Sequence, residues 1–121
     1  MTSGRALAEA VFGAVDSMRG EALAQFMTPD GSFTFGNAPP AVGRAAIAST
    51  VDQFFSGIDG LSHTVEDVWE RDGSVVVRLS ISYTRKDGGK VVLPCANIWQ
   101  RDASGQIADY RIYMDVNPVF A

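Results

Sequence analysis

The sequence predicts an α+β fold, helices first and an antiparallel meander second, with the helices packed on one face of the sheet. Two stretches in the N-terminal half carry apolar residues at three- and four-residue steps. From Leu61 onward the chain alternates instead, interrupted at Asp72-Gly73, Asp87-Gly88-Gly89 and Asp102-Ala103-Ser104-Gly105. Such turns close hairpins because they need residues at φ > 0. No repeat, low-complexity tract or linker divides the 121 residues, so a single domain over 1–121 is expected.

The first helix is expected from about Gly4 to Met18, where Leu7, Val11, Ala14, Val15 and Met18 form one stripe. Gly20 breaks it, and a short second helix carries Leu23, Phe26 and Met27. Pro29-Asp30-Gly31 reads as a turn, and Ser32 to Phe35 alternates as a short strand. Asn37 to Gly43 is a loop, because Pro39 and Pro40 remove backbone donors. A third helix follows from Arg44 to Gly57, with Ile47, Val51, Phe54, Phe55 and Ile58 in helical register, and Gly57 and Gly60 end it. Four strands then run over Ser62–Arg71, Ser74–Arg85, Lys90–Arg101 and Gln106–Val116. Pro94 deletes a ladder hydrogen bond, which predicts a bulge in a strand flanked on both sides.

Composition narrows the function classes. With 46% hydrophobic and 20% charged residues, the chain is an ordinary globular protein. A formal net charge of −4 with ten dispersed Lys and Arg argues against a nucleic-acid partner. No stretch approaches the ~20 apolar residues of a membrane helix. Met-Thr-Ser-Gly-Arg lacks the features of a signal peptide, so a cytoplasmic, soluble protein is the expectation. Cys95 is the lone cysteine, which leaves no disulfide framework and no thiolate set for zinc; neither metal nor cofactor is expected.

The order helix, helix, strand, Pro-rich loop, Gly43-Arg-Ala-Ala-Ile47 helix and four-strand meander resembles the SnoaL-like branch of the nuclear transport factor 2-like superfamily. So does the tail Gly105-Gln-Ile-Ala-Asp-Tyr-Arg-Ile-Tyr-Met-Asp115. The resemblance covers nearly the whole chain. It implies a cystatin-like conical α+β barrel, a curved antiparallel sheet wrapped around the three helices, with a pocket at the wide end. It also implies a homodimer formed through the outer face of the sheet. It does not select an activity, because the scaffold hosts isomerases, epoxide hydrolases, dehydratases, cyclases and binding domains.

Alternation places Arg78, Ser80 and Ser82 on one face of a hairpin opposite Cys95 and Asn97. Val77, Leu79, Ile81 and Tyr83 share the other with Val92, Pro94, Ala96 and Ile98. On this reading the polar face is a pocket wall and the apolar face a dimer interface; the alternative is simply core and surface. Arg78 and Ser80 match the strand positions where an epoxide hydrolase of the superfamily keeps an arginine and an aspartate, and the partner carboxylate falls at Ile112. Serine and isoleucine cannot exchange the protons that opening an epoxide requires.

Asn37 matches the place of the isomerase base and Asn97 that of its protonated acid. An amide is no base, but its NH₂ donates to an oxyanion or positions water. His63 is the only histidine, either a strand-edge residue or a general base for a pocket substrate. Phe35, Val51, Phe54, Trp99, Tyr110, Ile112 and Met114 are candidates for an apolar pocket wall or for plain core. Asp115 reads as structural, and Cys95 as a buried inert thiol.

Two functions stand at this point. One is a pocket protein for a compact apolar ligand bearing a carbonyl or hydroxyl, with isomerase-, lyase- or hydrolase-type catalysis through water or His63. The other is a non-catalytic dimeric interaction domain with a filled core.

Overall fold

The computed structural model describes residues 2–121. Three helices, α1 (Gly4–Asp16), α2 (Gly20–Ala24) and α3 (Arg44–Phe55), lie against one sheet. The strands are β1 (Met27–Phe35), β2 (Ala41–Val42), β3 (Ile58–Arg71), β4 (Ser74–Arg85), β5 (Lys90–Arg101) and β6 (Ile107–Tyr113). A final turn of helix, α4, covers Asn117–Phe120. The sheet order is β2-β1-β6-β5-β4-β3, and the sheet curves without closing.

Local chemistry explains the helices. Ser3 caps α1, its Oγ accepting the Ala6 N–H at 3.2 Å, which satisfies one of the donors a helix start leaves free. Leu7, Ala8, Val11, Phe12 and Val15 form the buried stripe. Met18 at φ 58° ends the segment. Gly20 then packs α2 on α3: a Cβ there would sit 2.2 Å from the Ala48 carbonyl oxygen. The Gly20 N–H donates to Asp52 Oδ1 at 2.6 Å, so this approach tolerates no side chain.

The meander forms as expected, with longer and shorter members than the turn signals suggest. β3 begins at Ile58, and β6 stops at Tyr113 because Asp115 Oδ1 accepts the Asn117 N–H at 3.0 Å and starts α4. Two expectations need correction. Pro29-Asp30-Gly31 is not a turn but an irregularity inside β1, which pairs in parallel with β6 on either side of it. Pro94 makes no bulge, since β4 and β5 pair without a register shift. β6 reaches only Ala96 along β5, so Pro94 has a neighbour on one side and its missing donor costs no ladder bond there.

The register also reverses half of the expected facing. Arg78 pairs with Ala96 and Leu79 with Cys95, so Val77, Leu79, Ile81 and Tyr83 point inward together with Cys95, Asn97 and Trp99. Arg78, Ser80, Ser82, Val92, Pro94, Ala96 and Ile98 share the outer face. The cause is the connection at Lys86–Gly88. Arg85 N–H donates to Gly89 O at 2.8 Å and Gly88 takes φ 85°, so the turn sets residue 85 opposite 89 and even numbers opposite even. The apolar face of β4 is therefore core, not a dimer interface.

α1 runs along β3. Its start lies at Glu70, whose side chain crowds Gly4, and its last residue, Asp16, reaches His63. Twelve helical steps cover ~18 Å and seven strand steps ~23 Å, so the helix runs beside most of that stretch of strand. The buried Arg101 guanidinium closes the far end, donating from Nη2 to Thr2 O at 2.8 Å beside Glu70.

Candidate functional site

Between α1, α3 and the concave face of the sheet lies a cavity of about 180 Å³. Phe33 and Phe35 from β1, Val51, Phe54 and Phe55 from α3, and Ile81 and Ile112 from the sheet are among its apolar lining. It opens beside Thr50, which is exposed. An enclosed apolar cavity of roughly 150 Å³ takes benzene, so a space of this volume suits a compact ring compound.

The polar groups in the wall are few: His63, Asn97, Tyr83, Tyr110, Cys95 and Thr50. Burial pushes the Cys95 thiol up to about 12, and it pushes both tyrosine hydroxyls above their ordinary value. All three therefore stay protonated near neutrality and serve as donors rather than bases or nucleophiles. The wall contains no carboxylate, lysine or arginine. His63 is left as the one side chain there able to take a proton.

Its surroundings hold that ring in one orientation. Nδ1–H donates to Asp16 Oδ1 at 2.5 Å, and the His63 backbone N–H donates to Asp16 Oδ2 at 3.1 Å. Phe12, one turn before Asp16 on α1, stacks on the imidazole with centroids 4.6 Å apart and planes 8° from parallel. Because a carboxylate only accepts, Nδ1 carries a proton, and in the neutral ring Nε2 presents a lone pair. No protein group among the described residues bonds Nε2. The His63 side chain is 6% exposed and Asp16 29%, a buried base carried by a partly wetted carboxylate.

Asn97 is 2% exposed. Its Oδ1 accepts Trp99 Nε1–H at 3.2 Å and its Nδ2 donates to Cys95 Sγ at 3.4 Å. An amide NH₂ has two hydrogens, so one remains for a guest in the cavity. Tyr83 Oη donates to Met114 Sδ at 3.6 Å, a weak bond that a ligand acceptor would outcompete.

Among the residues singled out from sequence, Phe35, Val51, Phe54, His63, Asn97, Tyr110, Ile112 and Met114 line this cavity. Trp99 does not; it is fully buried behind it, packed on Phe12 and Tyr110 and holding the Asn97 amide. Arg78 is a correction. It stands on the outer face, 64% exposed, and pairs with Asp67, because the hairpin register turns even-numbered β4 residues outward. Ser80 lies outward with it, opposite Pro94. Asn37 is exposed in the turn after β1, away from the cavity. Asp16 escaped the sequence reading. A carboxylate in the last turn of a helix faces the negative end of the dipole, an unfavourable position that hints at a partner elsewhere.

A model of the SnoaL-like domain matches residues 8–110. The chain belongs to the SnoaL-like domain family. No curated protein matches it in sequence. Its fold is shared with a hypothetical protein of ketosteroid isomerase-like fold from Catenulispora acidiphila, solved with trimethylamine. That pair has a TM-score of 0.85 at 16% identity over 93% of this chain and 88% of the other. A candidate SnoaL-like polyketide cyclase from Jannaschia sp. CCS1 gives 0.82 at 19% identity, covering 97% and 88%. SalBIII, an epoxide hydrolase/cyclase-like enzyme of pyran ring formation in salinomycin, gives 0.80 at 14% identity, covering 94% and 92%. At these identities the likeness concerns the fold, and this SnoaL-like chain shares the cone-shaped α+β architecture of its neighbours. Among the described residues, no helix is long and apolar enough to cross a membrane.

Proposed function

We propose that this SnoaL-like protein is a proton-transferring enzyme acting on a compact, mostly apolar small molecule with a carbonyl or hydroxyl group. The observation that carries the reading is His63 in the wall of a mostly apolar cavity, held from behind by Asp16. His63 Nε2 takes a proton from the substrate, and Asp16 fixes the tautomer and compensates the charge the ring acquires. The free hydrogen of Asn97 Nδ2 and the tyrosine hydroxyls donate to the oxygen on which negative charge develops. The proton then returns from Nε2 to another atom of the substrate, an isomerase- or lyase-type outcome. Neighbours described as cyclases of polyketide or polyether chemistry support this class.

The outer sheet face supports a homodimer. Trp69, Ile98, Val92 and Tyr113 are 54%, 40%, 66% and 47% exposed, a concentration of large apolar groups that favours burial against a second copy. Sedimentation should show a species of twice 13.0 kDa, and Ile98→Lys should return it to the monomer.

The enzymatic reading is tested with small cyclic ketones that raise the melting temperature. In D₂O, the protein should speed exchange of their α-protons, and His63→Gln should abolish the effect while still binding. A bound ketone whose exchange is equal with wild type and His63→Gln would overturn the reading and leave a non-catalytic binding domain.

A further inference from the structure

The Asp16–His63 pair has a second side. Away from the apolar cavity, both residues also border a polar groove of about 320 Å³ between α1 and β3, with Arg5, Glu9, Phe12, Gly13 and Val65 around it. His63 borders both spaces, whereas Asp16 borders only the groove. The imidazole is thus a partition, with the cavity on one side and its carboxylate partner open to the groove on the other. Arg5 marks the groove's outer end, pairing with Glu9 at 3.9 Å and donating across to the Glu66 carbonyl of β3 at 3.4 Å.

Gly13 is the second observation. Glycine inside a helix is destabilising relative to alanine, and nothing in the packing asks for it, since a Cβ at this position would meet no atom within 4 Å. Gly13 borders the groove, and a side chain there would extend into open space rather than against packed atoms.

We propose that this groove is a solvent port through which the dyad exchanges protons with bulk water while a ligand occupies the cavity. The exchange is balanced: in the imidazolium, with Nε2 also protonated, the Nδ1–H bond of His63 breaks as Asp16 Oδ1–H forms and leaves a neutral ring, Asp16 passes that proton to a groove water, and a water proton returns to Nδ1 by the reverse steps. The charge state of the dyad then follows the solvent without the cavity having to open. The role given to the port rests on His63 being the working base, but its existence does not.

A single histidine makes the test clean, because ¹⁵N-histidine labelling gives one imidazole spectrum. Exchange of the His63 Nδ1 proton with water is measured in the unliganded protein for wild type, Gly13→Leu, Gly13→Ala and Val51→Phe. Leucine roofs the groove, alanine strengthens the helix without roofing it, and phenylalanine fills the cavity instead. Gly13→Leu should slow the exchange about tenfold or more, with Gly13→Ala and Val51→Phe within about twofold of wild type. A Gly13→Leu rate within about twofold of wild type, or an equal slowing by Gly13→Ala or Val51→Phe, would overturn the port. No substrate is involved, so that result would leave the general-base reading to its own assay.

Discussion

Asp16→Ala is the sharpest perturbation of the candidate site, because it removes one acceptor group that serves two donors. The lost contacts are the 2.5 Å bond from the ring and the 3.1 Å bond from the His63 backbone. Bonds to a charged group contribute ~1.5–3 kcal/mol, and a half-buried backbone donor left unpaired on the edge strand β3 adds to this. Three effects work the other way. The carboxylate is 29% exposed, so groove water partly replaces it. Removing a negative charge from a helix C-terminus returns ~0.3–1 kcal/mol, and alanine is the better helix former by up to ~0.7 kcal/mol.

The balance is a loss of about 2 kcal/mol, or a fall of about 8 °C in melting temperature for a domain of this size. Circular dichroism melts of wild type and Asp16→Ala measure it. A double-mutant cycle with His63→Leu separates the ring contact from the backbone contact, since leucine keeps the backbone N–H. The coupling should exceed about 1 kcal/mol, and single effects that add to within ~0.5 kcal/mol would refute the pairing on which the site is built.

Asn97→Leu should cost about 1–3 kcal/mol, because it strands the fully buried Trp99 Nε1–H; a denaturant midpoint equal to wild type would contradict it. Arg78→Ala should leave ligand affinity unchanged and the melting temperature within about 2 °C, as expected of an exposed ion pair on the face away from the cavity. Stability should hold up to about pH 9 and then fall towards about pH 12. Burial raises the folded-state Cys95 thiol from 9.0 to about 12, so the unfolded chain ionises first and is favoured as pH rises through that window. Tyr83 and Tyr110, raised in the same direction, extend the effect. Urea midpoints at pH 8 and pH 10.5 check this, and Cys95→Ala should reduce the difference.

Much of the architecture was legible in the sequence because its signals are local. The stripe from Leu7 to Val15 and the hairpin turns each act within a few residues. What escaped was set at longer range. The parallel pairing of β1 with β6 joins Phe33 to Tyr110, residues that no local pattern connects. The facing of Arg78 depended on one count, the number of residues in the turn between Arg85 and Gly89. One residue of register moves an entire face from pocket to solvent. Asn97 and His63 belong to the cavity wall; the arginine expected beside them does not.

That misplacement alters the chemistry as well as the list of residues. A pocket walled by Arg78 would select an anion or polarise a carbonyl with a fixed charge. The observed wall holds no permanent charge, and its donors are neutral hydroxyls and an amide. In such a lining, an ionised substrate would give up its hydration for nothing of opposite charge, so binding favours neutral compounds. Charge then arises only when a proton moves. In the proposed reaction the ring would gain a positive charge beside Asp16 as the substrate becomes negative beside Asn97 and the tyrosines, and both changes would meet groups already in position. A cavity neutral at rest with donors and acceptor placed for the separated charges favours the transition state over the ground state. That asymmetry argues for catalysis over storage or transport of the ligand.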